Sequence, residues 1–264
     1  MANSYVALFK TAFKDTLAYK SSLLLTAVFL IVAPLLLVYV WKAVYANNSG
    51  VAVGGIPFNQ MYAYFFFNSV CYLVAATWVV WIMRDDLKSG VIAVDLARPQ
   101  RYPLSLFAAS LPQPVFNIIF AAIPITVLLI VLAGIHVTML SLLMFTAALA
   151  VTWAISNLFA FIIGILGIYI TEVEGLYNAF GGLVYMLGGG ILPLTLFPAF
   201  AKPILFALPF QFMAFVPSAI ITGMISVQTY LNLMAVGVVW VVVLLTAAWL
   251  FWSRAKSKIN AVGI

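Results

Sequence analysis

Charge is the scarcest resource in this chain. Among 264 residues there are 12 Lys or Arg and 6 Asp or Glu. Soluble domains carry about a quarter charged residues. A chain that is 7% charged and 66% hydrophobic, with a mean hydropathy of +1.20, is excluded from that class. The single cysteine, Cys71, excludes an internal disulfide, and no Cys/His grouping offers a metal site. No Gly-Lys pair occurs, so the phosphate-cradling GxxxxGK[ST] loop is missing; HExxH is missing too. No Ser/His/Asp grouping stands where an intramembrane protease would need it. The chain is therefore not expected to be an enzyme by itself.

Long uncharged runs fill the space that charge leaves. They cover residues 21–41, 43–83, 103–171, 175–201 and 203–253. A spanning helix needs about 20 predominantly apolar residues, so some runs must hold more than one. Dividing them at polar and turn-forming points gives six spans, near 22–41, 60–83, 105–132, 140–169, 176–198 and 229–252. Strands of a membrane barrel alternate in polarity. Stretches such as VGVVWVVVLLTAAWLFW do not, so the expected fold is an all-α integral membrane protein with six transmembrane helices.

Orientation follows from the cations. Lys10, Lys14 and Lys20 precede the first span. Arg84, Lys88, Arg98 and Arg101 follow the second, and Arg254, Lys256 and Lys258 follow the sixth. An even number of spans puts all three clusters on one side, which is then the cytoplasm, with both termini there. Only Lys42 and Lys202 fall outside. The net charge of +6 thus reflects topology, and no nucleic-acid partner is expected. Val44-Tyr45-Ala46 resembles a signal-cleavage site, but the apolar run before it is too long for a signal core, so the first span is read as retained.

Residues 1–21 read as an interfacial amphipathic helix ahead of a six-span domain at 22–264. Tyr5, Leu8, Phe9, Ala12, Phe13, Thr16 and Leu17 recur at helical spacing while Lys10 and Lys14 fall elsewhere around it. It would anchor the first span to lipid; a grip on a partner is the other reading. Residues 46–58 form a Gly-rich outer loop. His136 tips the turn between the third and fourth spans, where a solvated role is expected, since no carboxylate lies nearby to relay a proton. Glu172 and Glu174 sit in the next inner turn, as solvated residues or as a partner contact. Pro193, Pro198, Pro203, Pro209 and Pro217 break an apolar stretch. Within it, residues 199–228 read as short re-entrant outer helices, either a lid over an exit path or plain packing.

One polar island remains, residues 84–101 (RDDLKSGVIAVDLARPQR), within an inner loop at 84–102. It carries four of the twelve cations and three of the six acids. Leu87, Val91 and Val94 would form the apolar face of a short helix along the membrane surface, with Gly90 loosening its first turn. Such a helix suits a groove on a soluble partner. The alternative is a charged loop that only obeys the positive-inside rule, against which the acids argue, because topology needs only cations.

RDDLKSGVIAVDLARPQRY resembles the R-[DE]-x-x-x-G-x-[IL]-x-x-x-L-x-R-P-x-x-Y pattern of permease subunits of type-2 ABC exporters. It is similar to the branch with two related permeases beside one ATPase. GGGILPLTLFP and LPFQFMAFVPSAIITG extend the likeness, from about Arg84 to Gly223. The resemblance implies that the loop after the second span is a coupling helix docking on a cytoplasmic ABC ATPase. By position that role falls on Arg84, Asp85, Asp86, Lys88 and Gly90, flanked by Arg98 and Arg101, with Glu172 and Glu174 at a second inner contact. It also implies a second permease, identical or paralogous, and ATP and Mg on the ATPase, with no cofactor or metal in this chain.

The resulting expectation is a permease subunit in the cell membrane, exporting a hydrophobic or amphiphilic substrate. Phe65, Phe66, Phe67, Tyr185 and Met186 are candidates to line its path, or else to pack the bundle. The alternatives are a membrane assembly or immunity protein without transport, and a gradient-driven carrier. The carrier is disfavoured because the spans hold essentially no ionisable group to bind an ion.

Overall fold

The computed structural model describes residues 2–18, 20–47, 52–92, 101–133, 137–170 and 172–262. Among these the chain is helical, and the single β-bridge, Val53 to Ile56, merely closes the turn at Gly54-Gly55. The helices are α1 (Ala2–Ala18), α2 (Lys20–Asn47), α3 (Phe58–Ala75), α4 (Val79–Ser89), α5 (Tyr102–Ser110), α6 (Pro112–Asn117) and α7 (Ile123–Ala133). They continue as α8 (Met139–Leu166), α9 (Val173–Leu187), α10 (Lys202–Ala207), α11 (Phe215–Ile221) and α12 (Val227–Val262).

Four helical stretches among the described residues are long and apolar enough to cross a membrane: Phe58–Ser89, Tyr102–Leu128, Met139–Leu166 and Val227–Ser257. Within α2, Val32–Asn47 is a shorter apolar helix. The helix found at the fifth expected span differs from the expectation of 176–198. α9 has 15 residues, about 22 Å at 1.5 Å per residue against a hydrocarbon core of about 30 Å. It stops at Leu187 because Gly188, Gly189 and Gly190 follow, with Gly189 at φ +96°.

Two of the crossing stretches are interrupted. Phe58–Ser89, at the second expected span, passes from α3 to α4 through non-helical residues 76–78. Tyr102–Leu128, at the third expected span, runs α5, α6, a π-helical turn at Ile118–Ala122, then into α7. Pro103, Pro112 and Pro114 lie in the first turns of their helices or close after them, where a missing N–H costs least.

α3 sits at the centre. It packs on α2, α6, α7, α8 and α11, which is why Phe65, Phe66 and Phe67 are all buried although successive residues point some 100° apart. α8 joins α3, α4, α11 and α12. α12 lies at the periphery and exposes Val238, Val239, Val242 and Leu245, apolar surface suited to lipid. α1 packs against α5 and α6, with Leu8, Phe9, Ala12 and Phe13 half-buried and Lys10 and Lys14 exposed, the two faces its spacing called for. The side chains of Tyr5, Thr16 and Leu17, and all of His136, lie outside the described residues.

The Pro-rich segment after α9 folds into α10, α11 and two 3-10 turns (Leu194–Leu196 and Pro209–Met213). Phe212, Phe215, Val216 and Ala219 are fully buried. Irregular backbone in such a place survives only where protein meets its polar groups. Tyr64 donates its hydroxyl proton to Gly189 O at 2.6 Å, and Asn68 Nδ2 donates to Gly190 O at 3.0 Å. Phe215 N donates to Gly188 O at 3.0 Å, and Thr152 Oγ1 donates to Phe212 O at 2.5 Å. Thr152→Val keeps the shape and strands that carbonyl. It should lower unfolding stability in detergent by about 1–2 kcal/mol, read from the shift of a denaturation midpoint.

Candidate functional site

The acids and cations of the polar island gather at the end of α4. Arg84, Asp85, Asp86 and Lys88 occupy its last turns, at the end of the helix found at the second expected span, and helical residues 91–92 follow Gly90. Gly90 ends α4 in the left-handed conformation, φ +73°, with its N–H on Leu87 O. This corrects the expectation that Gly90 loosens a first turn: a residue at φ +73° without a Cβ penalty is a helix terminator. Leu87 packs inward and Val91 is exposed, while the neighbouring Ile92 is fully buried. Val94 and Arg98 lie outside the described residues.

Arg84 links two elements. Its Nε and Nη2 reach Asp85 Oδ1 at 2.8 and 2.7 Å, and its Nη1 pairs with Glu174 Oε1 in the first turn of α9. An acid there also meets the positive end of the helix dipole. The Arg84 side chain is 24% exposed and that of Asp85 65%, so solvent screens the cluster and its net worth is about 1 kcal/mol. Its interest is positional, tying α4 to α9. Asp86 accepts a hydrogen bond from Tyr102 OH at 2.7 Å, which fixes the start of α5 beside the end of α4. Arg101 is the residue before α5, and Glu172 is the exposed residue before α9. Beside this cluster a groove of about 260 Å³ is walled by Arg84, Leu87 and Lys88 on one side and Gly167, Tyr169 and Ile170 on the other. Tyr169 and Ile170 are exposed. Sequence reading passed over both, although YI before a Thr-Glu turn is apolar sequence in a solvated position.

Above the cluster lies the break at 76–78. A helix end leaves carbonyls without partners, and neighbouring side chains meet them here. Asn117 Nδ2 donates to Leu73 O at 2.7 Å, Thr77 Oγ1 donates to Asn157 Oδ1 at 2.8 Å, and Val79 N donates to Thr77 Oγ1 at 3.3 Å. Gln113 Nε2 in turn donates to Asn117 Oδ1 at 3.1 Å. A cavity of about 490 Å³ opens beside the break, between α3, α4, α6 and α9, with Tyr72, Trp78, Trp81, Tyr177 and Phe180 in its walls. A second space of about 430 Å³ shares Thr77, Trp78, Trp81 and Gln113 with it and reaches Arg84 and Asp85. The signal that could have found this site is four amides, Gln113, Asn117, Asn157 and Asn178, in otherwise apolar sequence.

The expected path residues lie elsewhere. Phe65 meets Trp41 and Tyr64, Phe66 meets Tyr62, and Phe67 meets Phe145 edge-on at 5.4 Å. Tyr185 leans on Tyr72 with ring centroids 4.8 Å apart, and Met186 is 53% exposed on the outer face of α9. None of the five lines the larger cavity.

No curated protein matches this sequence. The family described as ABC-2 family transporter protein matches residues 21–263, almost the whole length with the polar island, the break at 76–78 and the Pro-rich segment inside it, and the chain belongs to that family.

Proposed function

We propose that the chain is the membrane half of an ATP-driven exporter of amphiphilic cargo, energised where a separate ATPase docks on the segment after α4. As a member of its family it is a permease of an ABC transporter and works with an ABC ATPase. ATP and Mg²⁺ belong to that partner, since this chain has no phosphate-binding loop and does no chemistry of its own. In this reading the chain crosses the cell membrane six times, α9 and the outer segment together forming the fifth passage. Both termini and residues 84–101 face the cytoplasm, α1 rests on the inner lipid surface, and a second permease covers the exposed face of α9.

The observation that carries this reading is the ion pair from Arg84 on α4 to Glu174 on α9, placed directly below a break in the second crossing helix. A force applied to the end of α4 reaches α9 through that pair. The break at 76–78 lets α4 tilt without carrying α3 along. Closure of the ATPase would then switch the permease between two packed arrangements, the usual form of such a transition. The groove between Lys88 and Tyr169 is where the ATPase would sit.

The test is charge reversal of Asp85 and Asp86 to Lys in the assembled complex, with ATP hydrolysis and ATPase copurification measured together. We expect the ATPase to be lost from the purified sample and hydrolysis to fall roughly tenfold, a coupling loss at the low end for communicating sites. Asp86→Asn, which keeps an acceptor for Tyr102 OH, should retain most of the binding. Unchanged hydrolysis and copurification in the double reversal would rule out docking at this place.

A further inference from the structure

We infer that the cavity beside the break at 76–78 is a binding site, within one chain, for an electrically neutral, ring-bearing amphiphile with a hydrogen-bonding carbonyl, ether or hydroxyl group. The inference rests on the transport reading above and gives its cargo a chemical class and a place.

Three features define the ligand. The first is charge: among the described residues no Asp, Glu, Lys, Arg or His lines the cavity of about 490 Å³. A charged group taken into such a space would have no partner to offset its desolvation. Arg84 and Asp85 line the adjoining space and are paired with each other, and Glu174 on α9 pairs with Arg84. The second is polarity without charge. Asn178 lines the cavity, is exposed, and makes no side-chain hydrogen bond among the described residues. Gln113 spends one donor on Asn117 and keeps its amide oxygen. An amide offers both a donor and an acceptor, so the matching ligand carries a carbonyl, ether or hydroxyl. In the same wall Tyr72 OH is buried with no hydrogen-bond partner. Groups left so are rare and mark places where a partner is missing.

The third feature is shape. The walls are aromatic: Trp78 and Trp81 stand 5.3 Å apart, Trp81 meets Tyr177 edge-on at 5.2 Å, and the Trp78 side of the pair is 61% exposed. Ring faces and edges of this kind favour a flat ring system over a flexible acyl chain. The volume falls in the range of about 300–1,000 Å³ that holds drug-sized molecules. The adjoining space, which shares Thr77, Trp78, Trp81 and Gln113, leads from the cavity toward the inner charged cluster and would serve as the entry from the cytoplasmic side.

Gly181 gives a clean way to close the site. It lines the cavity, and a Cβ there meets nothing within 4 Å, so a larger side chain can start from this position without a clash at its Cβ. The experiment uses the full chain, purified with its partners in lipid nanodiscs without nucleotide. The probe is 4-alkoxybenzophenone, a neutral two-ring ketone that labels the residues around it on irradiation. 4-Benzoylbenzoate is its charged counterpart. We expect saturable labelling within residues 72–81, 113–117 and 177–184, competed by unlabelled benzophenone and at least several-fold weaker with the carboxylate. Gly181→Leu should reduce it roughly tenfold, and Asn178→Leu about five-fold, the loss of one net hydrogen bond. Labelling that does not saturate and spreads over the lipid-facing side of α12 would overturn the site. So would equal labelling of both variants, or equal labelling by the carboxylate. Because no nucleotide is present, a failure here leaves ATPase docking standing. Loss of the ATPase partner with labelling intact would sink the transport reading and leave the site.

Discussion

Arg84→Glu is expected to cut ATP hydrolysis by the assembled complex roughly tenfold or more, and Glu174→Arg placed in the same chain should restore most of it. The reversal replaces the cation near the C-terminal end of α4 that pairs with α9 and sets three acids, at positions 84, 85 and 174, against one another. Each side chain is partly exposed, so the repulsion is screened and the fold itself should lose only about 1 kcal/mol. Activity should fall far more than stability. That split is what separates a mechanical joint from an ordinary surface ion pair. The exchanged pair, Glu at 84 and Arg at 174, rebuilds the attraction in the opposite sense, although Asp85 then faces an acid neighbour and full recovery is not expected. Hydrolysis in nanodiscs and a thermal midpoint, measured on the native chain, Arg84→Glu and the exchanged pair, decide it. If the exchanged pair is no better than Arg84→Glu alone, the α4–α9 joint has no part in coupling. Raising ionic strength should weaken coupling in the native chain in the same direction, because exposed charges are screened within about 8–10 Å.

The largest stability effect is expected at Gly189. Its φ of +96° is a conformation that side chains seldom adopt, and a Cβ there would stand 2.7 Å from Tyr64 Oη and 3.0 Å from Phe215 Cβ. Neither neighbour can withdraw freely. Tyr64 is fully buried and donates its hydroxyl proton to Gly189 O itself, and Phe215 is held by its N–H on Gly188 O. Gly189→Val therefore combines backbone strain of about 1–3 kcal/mol with overpacking of similar size, together about 3–5 kcal/mol. A chain of ordinary stability would lose most of its folded population. We expect the variant to run as an aggregate in size-exclusion chromatography in mild detergent, with Gly189→Ala intermediate and Gly181→Leu indistinguishable from the native chain. A monodisperse Gly189→Val protein with an unshifted midpoint would mean that the turn after α9 is not built as described.

What could be read in the sequence was additive and local. Hydropathy summed over some twenty residues needs no knowledge of neighbours, so the helical membrane class was legible, as were Met139–Leu166 and Val227–Ser257 as crossing helices. The two-faced helix at Ala2–Ala18 and the exposed polar end of α4 were legible for the same reason, because charge and periodicity speak for each residue alone. The order and spacing of RDDLKSGVIAVDLARPQRY, GGGILPLTLFP and LPFQFMAFVPSAIITG together carried the family, which matches residues 21–263.

What only the tertiary structure decided concerns choices among apolar partners. Lipid tails and protein interiors are about equally apolar, so nothing in FFF at 65–67 distinguishes a path lining from a core. The surroundings of α3 on every side made it core. Likewise Ala76-Thr77-Trp78 is apolar enough to continue a helix, and the break there stands because Asn117, distant in the chain, donates to the freed Leu73 carbonyl, and Asn157 holds the Thr77 hydroxyl that accepts from Val79 N. The expected span at 176–198 became a helix of 15 residues because three glycines end it and Tyr64, Asn68 and Phe215 donate hydrogen bonds to the carbonyl groups that follow. The charges at 84 and 174 were visible from the start, but that they touch is a fact of packing, since a sequence fixes which groups can pair while only the fold brings two of them within reach.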